Sequence, residues 1–302
     1  MVKLKLILEV KNKGMNKVNN FKGKRALSFA IIFFVYVIAT LIGVITYKLV
    51  DNEFYIKLLI ADICSTITVF IFSLILRNSS VYDPYWSVAP CVILILYSFN
   101  TEMNLGRILS LICVIIWGVR LTLNWAYTFI DLNKQDWRYS MLEQKSGKLY
   151  PFVNFLGIHF FPTIVVYTCI LPIVFSYNSN IKVNFFSILF FVTGLLSVLL
   201  QGISDLEMHR FRKQNNGGLI RFGLWKYSRH PNYLGEILMW WSMGLMQVTM
   251  LGGKYYLLIG ALINTLMFVF ISIPLAENHQ ADRKEGFKEY KEQTRMLLPI
   301  KK

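Results

Sequence analysis

Eight apolar stretches, near residues 29–47, 56–76, 88–99, 108–130, 152–175, 185–202, 233–250 and 255–275, recur along this chain of 302 residues. A helix of about 20 apolar residues crosses roughly 30 Å of hydrocarbon, so the pattern predicts a polytopic membrane bundle. The third stretch is short, which sets the expectation at seven to eight spans in an all-α fold. Charged residues make up 16% of the chain, well below the roughly 25% of an average soluble domain, and this excludes an ordinary soluble globule. No repeat, Pro-rich linker or low-complexity tract separates the stretches. Residues 29–302 therefore read as one integral-membrane domain behind a basic arm over 1–28, with no cleaved signal peptide expected.

The formal net charge of +15 would raise the question of nucleic acid in a soluble protein. Its distribution answers that question. With eight spans and the N-terminus inside, the segments on one side carry 26 of the 32 Lys and Arg residues, and the opposite side carries 5. The remaining one, Arg120, falls inside a span. Short loops rich in Lys and Arg stay cytoplasmic, so the excess charge predicts a multi-pass protein of the cell membrane with both termini cytoplasmic. The expected partner is the lipid bilayer, not nucleic acid.

Cys64, Cys91, Cys113 and Cys169 all lie in apolar stretches without a CxxC pair or a His at ligand spacing. Neither a disulfide framework nor a metal site is expected. Attention passes to polar groups within the apolar background, because a charge near mid-membrane costs about 2.5–3.5 kcal/mol and marks a functional candidate. Asp62 and Arg120 qualify, and Arg120 shares a helical face with Asn124 four residues on. A bundle-holding pair of Arg120 with a carboxylate such as Asp62 is the alternative. Between the second and third stretches runs Tyr82-Asp83-Pro84-Tyr85-Trp86-Ser87. Aromatics there can serve as interfacial anchors, but a carboxylic acid beside phenols can also hydrogen-bond and protonate a carbonyl group. Asp136-Trp137-Arg138-Tyr139 is a weaker polar segment in the following loop.

Gln201, Asp205 and Arg212 fall within about 60° on one helical face at 100° per residue, a polar stripe at the end of the sixth stretch. The next segment is more specific. In Ser228-Arg229-His230-Pro231-Asn232-Tyr233-Leu234-Gly235-Glu236, Pro231 suits the first turn of a helix. Arg229 and His230 precede it, so two cation-capable side chains meet the free N–H groups of a helix start, an arrangement that binds phosphate or another anion. Asn232 and Glu236 share a face of the first turns.

This segment, preceded by Gly223-Leu224-Trp225, resembles the C-terminal region of the steroid 5-alpha-reductase superfamily, specifically its bacterial branch of the domain of unknown function 1295 type. The resemblance covers roughly residues 80–300. It includes Tyr82 to Ser87, Arg120-Leu121 with Asn124, Asp136, Arg138 and Tyr139, Asp205, and a tail running from Glu277 through Arg283, Phe287, Tyr290 and Thr294 to Pro299.

The resemblance implies an integral-membrane enzyme that reduces a carbon–carbon double bond conjugated to a carbonyl, using NADPH held in a cytoplasm-facing cavity. Its substrate would be a lipophilic small molecule. On this resemblance the cofactor residues are Arg120, Asn124, Gln201, Asp205, Arg212, Arg229, His230, Asn232, Tyr233, Glu236, His279 and Arg283. Gln201 stands in place of the family's Asn, Leu275 replaces an Arg of the eukaryotic enzymes, and Arg283 stands where they have Tyr. Asp83 and Tyr85 are the catalytic candidates. The same scaffold is shared by isoprenylcysteine and phospholipid methyltransferases that use S-adenosylmethionine, which supply the alternative function. A transporter is a third class, disfavoured because no inverted repeat is evident.

Overall fold

The computed structural model describes residues 23–214 and 217–299. Most of the basic arm expected over 1–28 lies outside the described residues. Helices form along the apolar runs: α1 (Arg25–Leu49), α2 (Phe54–Leu76), α3 (Tyr85–Ser98), which carries Pro90 within it, and α4 (Leu105–Thr128). They are followed by α5 (Trp137–Ser146), the short α6 (Tyr150–Val153), a π-helical stretch over Asn154–Phe160, and α7 (Phe161–Tyr177). The chain continues through α8 (Phe185–Gln214), α9 (Pro231–Met250), α10 (Ile259–Met267), α11 (Ile273–Ala281) and α12 (Phe287–Gln293). No strand occurs among the described residues; an isolated bridge joins Ser228 to Arg295.

Among the described residues, six helical segments are long and apolar enough to cross a membrane: Arg25–Leu49, Phe54–Leu76, Leu105–Thr128, Trp137–Tyr177, Phe185–Gln214 and Tyr255–Ala281. The chain is accordingly a membrane protein, and the expected seven to eight spans are not reached on these criteria. The stretch near 88–99 becomes α3, whose 14 residues reach only about 21 Å at 1.5 Å per residue. The stretch near 233–250 becomes α9, long enough at 20 residues but carrying Glu236 and Gln247 and buried along most of its length. Apolarity in a sequence does not distinguish a face that meets lipid from one that meets protein. In α1 the two are separable: Ile32, Val35 and Ala39 are buried, whereas Phe33, Phe34, Leu41 and Ile45 point outward.

Packing divides the chain into two compact units. The first comprises residues through Ala89 with Thr122–Ile164. Its core gathers Val35, Val69, Tyr82, Tyr85, Phe129 and Leu132. Asn78, just past α2, ties this unit together: its amide donates to the carbonyls of Leu132 (2.7 Å) and Lys134 (3.1 Å) and its side-chain oxygen accepts from the N–H of Ser80 (2.8 Å). The second unit comprises Pro90–Leu121 with Val165–Lys302. There α8 and α9 lie side by side, close enough that a Cβ on Gly235 would fall 2.7 Å from the Ser197 carbonyl oxygen. Glycine at that position sets the approach of the helices that carry Gln201, Asp205, Asn232 and Glu236.

Candidate functional site

In the second unit the polar stripe of α8 meets the start of α9. Arg120 on α4 donates to Asp205 at 2.7 Å, and its other terminal nitrogen lies 3.9 Å from Glu236. Asn232 reaches the second oxygen of Asp205 at 3.5 Å. The partner of Arg120 is thus Asp205, not the Asp62 that the sequence offered. Four residues N-terminal to Asp205 on α8, Gln201 is 1% exposed, and neither its amide nitrogen nor its amide oxygen has a hydrogen-bond partner. The Nε of Arg120 is likewise buried without one. Buried polar atoms left unpaired cost roughly 1–3 kcal/mol each.

Glu236 is held differently. It is 4% exposed, and two indole N–H groups donate to it: Trp117 at 2.9 Å to each oxygen and Trp240 at 3.0 Å to Oε1. The two indoles pack edge to face with centroids 4.9 Å apart. Sequence inspection missed this pair. The four-residue spacing of Glu236 and Trp240 was the available signal for one of them, and the three-residue spacing of Trp117 and Arg120 for the other.

Arg229 and His230 converge on Glu277. The Arg229 Nε donates to Glu277 Oε1 at 2.7 Å, His230 Nε2 lies 3.2 Å from the same oxygen, and Lys291 Nζ is 3.0 Å from the other. Arg229 also donates to the carbonyls of Lys291 and Thr294, and its own N–H donates to the Arg295 carbonyl at 3.0 Å. Burial holds the His230 imidazole below its ordinary pKa despite the nearby carboxylate, so a neutral ring donates Nε2–H to Glu277. The His230 backbone N–H is taken by Ser228 Oγ at 3.2 Å. The cation pair that the sequence aims at an anion is therefore engaged in clasping the C-terminal segment to α9. Nothing local in the sequence signals Glu277, which lies 47 residues beyond His230.

The remaining cofactor candidates spread around these two clusters. Tyr233 stacks on the His230 ring at 5.3 Å between centroids. Arg212 is exposed two turns beyond Asp205, His279 sits half-buried on α11, and Arg283 is exposed just past it. Asn124 belongs to the first unit.

The catalytic candidates Asp83 and Tyr85 also belong to the first unit, and they have separate partners. Tyr139 donates its hydroxyl to Asp83 at 2.5 Å. Burial raises the Asp83 carboxyl to about 6, against the opposing charge of Arg138 and the Tyr139 hydrogen bond. Tyr85 is 6% exposed and its hydroxyl points at Asp62 Oδ1, 3.4 Å away. Tyr82, adjoining it, bonds Thr163 at 2.7 Å, and Thr163 in turn lies 2.9 Å from the Thr66 hydroxyl. His159, which the sequence did not flag, packs against Tyr82 at 4.7 Å with its Nε2 buried and unpartnered.

A family model described as a protein of unknown function, DUF1295, matches residues 69–294. No curated protein and no solved structure matches the chain.

Proposed function

Because this chain belongs to the DUF1295 family, part of the steroid 5-alpha-reductase-like superfamily, we propose that it is a membrane-embedded oxidoreductase. It would use NADPH to reduce a carbonyl-conjugated carbon–carbon double bond in a lipophilic substrate, of the 3-oxo-4-ene steroid or isoprenoid type. The observation that carries the proposal is the buried Gln201 side chain, one free donor and one free acceptor, beside Arg120, Asp205 and Glu236. A primary carboxamide, such as that of nicotinamide, is complementary to an amide presented in this way.

The residues that would hold the nicotinamide end are Gln201, Glu236 and Asp205. NADPH, when bound, supplies the hydride. Glu236 enters as a fixed acceptor: Trp117 donates to both of its oxygens and Trp240 to Oε1, so the carboxylate is held in one orientation toward a ligand donor. Arg120 offsets the carboxylate charge at Asp205 and Glu236. On the substrate, charge develops at the carbonyl oxygen as the double bond is reduced. A neutral acid must supply the proton there, and the candidates are the Tyr85 hydroxyl, with Asp62 behind it, and Asp83. Apolar surroundings exclude water from that phenol, since Val69, Tyr82 and Phe129 belong to the same buried cluster.

The test is titration of the detergent-purified protein with NADPH and with S-adenosylmethionine. Binding of NADPH that weakens in Gln201→Leu supports the proposal. Tight binding of S-adenosylmethionine with none of NADPH overturns it in favour of methyl transfer, and cofactor-independent solute flux in liposomes overturns it in favour of transport.

A further inference from the structure

We propose that a cavity at the C-terminal end of the second unit is a phosphate-binding site built on Lys284 and Lys288, taking the phosphate of a nucleotide or of an anionic lipid headgroup. The cavity holds about 480 Å³ and is lined by the end of α11, the turn after it and α12. That volume is within the roughly 300–1,000 Å³ of small-molecule sites.

The charges around it are unequal. Lys284, Lys288 and Lys291 line the cavity together with two carboxylates, Glu277 and Glu289. Glu277 is already matched by Arg229, His230 and Lys291. What faces the cavity after that pairing is Lys284 and Lys288 against the exposed Glu289. A further cation, Arg212 from α8, acts on Lys284: burial, and then this like charge, hold the Lys284 ammonium below its ordinary pKa. An anion seated beside this half-buried ammonium offsets its charge. Asn278 adds a neutral amide at the rim.

Position favours a phosphate-bearing ligand. Lys284 lies just past Ala281, where the last apolar segment ends, within reach of headgroups or of a soluble nucleotide. The anion-binding role expected of Arg229 and His230 is open to such a site, because their donors are spent on Glu277 and the tail. Where the phosphate is that of NADPH, the inference rests on the reductase proposal; the site itself does not depend on it.

The experiment is calorimetric titration of the full-length protein with inorganic pyrophosphate, in detergent and in nanodiscs. Pyrophosphate is expected to bind, more weakly as salt rises, and Lys284→Gln with Lys288→Gln is expected to weaken it by roughly tenfold or more. Competition between pyrophosphate and NADPH, with NADH binding less tightly than NADPH, identifies the nucleotide as the source. Loss of pyrophosphate binding in phosphatidylglycerol nanodiscs, but not in phosphatidylcholine ones, identifies the lipid. No binding of pyrophosphate, or equal affinity in the wild type and the double variant, overturns the site. Lysine-dependent pyrophosphate binding without any NADPH binding leaves the site standing and removes the reductase proposal.

Discussion

The indole N–H of Trp117 lies 2.9 Å from both carboxylate oxygens of Glu236, 119 residues away in the chain. With Trp240 on Oε1, it fixes a buried carboxylate in one orientation. Trp117→Phe keeps the ring bulk and removes this donor. It is expected to lower stability by about 1–3 kcal/mol, read as a fall in the unfolding midpoint in detergent, and to weaken NADPH binding. Glu236→Gln is expected to weaken NADPH binding while shifting the indole N–H resonances of Trp117 and Trp240. Unchanged indole signals in that variant would contradict the pairing.

Glu277 serves as the hub for Arg229, His230 and Lys291, and Arg229 is buried against it. Removing one member of a buried pair strands the other charge, at a cost of about 3–5 kcal/mol. Glu277→Gln should therefore destabilise strongly and raise protease sensitivity near Lys291 and Arg295, because the clasp on the tail is released. Lys291→Gln should cost far less, since Lys291 is more than half exposed and its contact is screened by water.

Asp83 couples stability to pH. Its carboxyl is raised in the folded protein to about 6 from an ordinary 3.8 by burial, so the folded state holds the proton more tightly than the unfolded one. The contribution is complete below the ordinary value and is lost as pH rises through the folded value. Stability should thus decline between about pH 4 and pH 6 from this group alone. Asp83→Asn should flatten that part of the profile, measured by thermal unfolding against pH, and an unchanged slope would refute the assignment.

Tyr85→Phe removes the hydroxyl facing Asp62 without altering the aromatic packing against Tyr36 and Tyr82. Under the reductase proposal turnover should fall by at least about 100-fold, in line with loss of a general acid, while NADPH affinity stays at the wild-type value. Equal turnover in the variant would move the proton donor elsewhere, with Asp83 and its partner Tyr139 the next pair to test.

Gly235→Ala places a methyl group 2.7 Å from the Ser197 carbonyl and against Gln201. Forcing α8 and α9 apart should cost about 1–3 kcal/mol, and the ligand-facing Gln201 should lose its position. A variant with wild-type melting and wild-type NADPH binding would show that the close approach is not needed.

Much of the helical architecture was legible because apolar runs of membrane length announce themselves one residue after another. The Gln201 and Asp205 stripe and the Asn232 and Glu236 face were legible for the same reason, since a helical period relates positions four apart. Arg120 was found as a costly charge, but its partner was not, because Asp205 lies 85 residues away. Asp83 and Tyr85, neighbours in sequence, look like one acid–phenol group, yet the turn between them sends Asp83 to Tyr139 and Tyr85 to Asp62.

By itself, the sequence determined an all-helical membrane protein and a short set of polar residues too expensive to be idle, because hydropathy and period are local properties. Only the tertiary structure decided which of those residues are engaged by the protein itself. Arg229 and His230 are occupied by Glu277, Glu236 is held by two indoles, and Gln201 is left with nothing to bond. Whether a polar group is satisfied depends on atoms brought within about 3 Å from distant parts of the chain, and no local pattern records that.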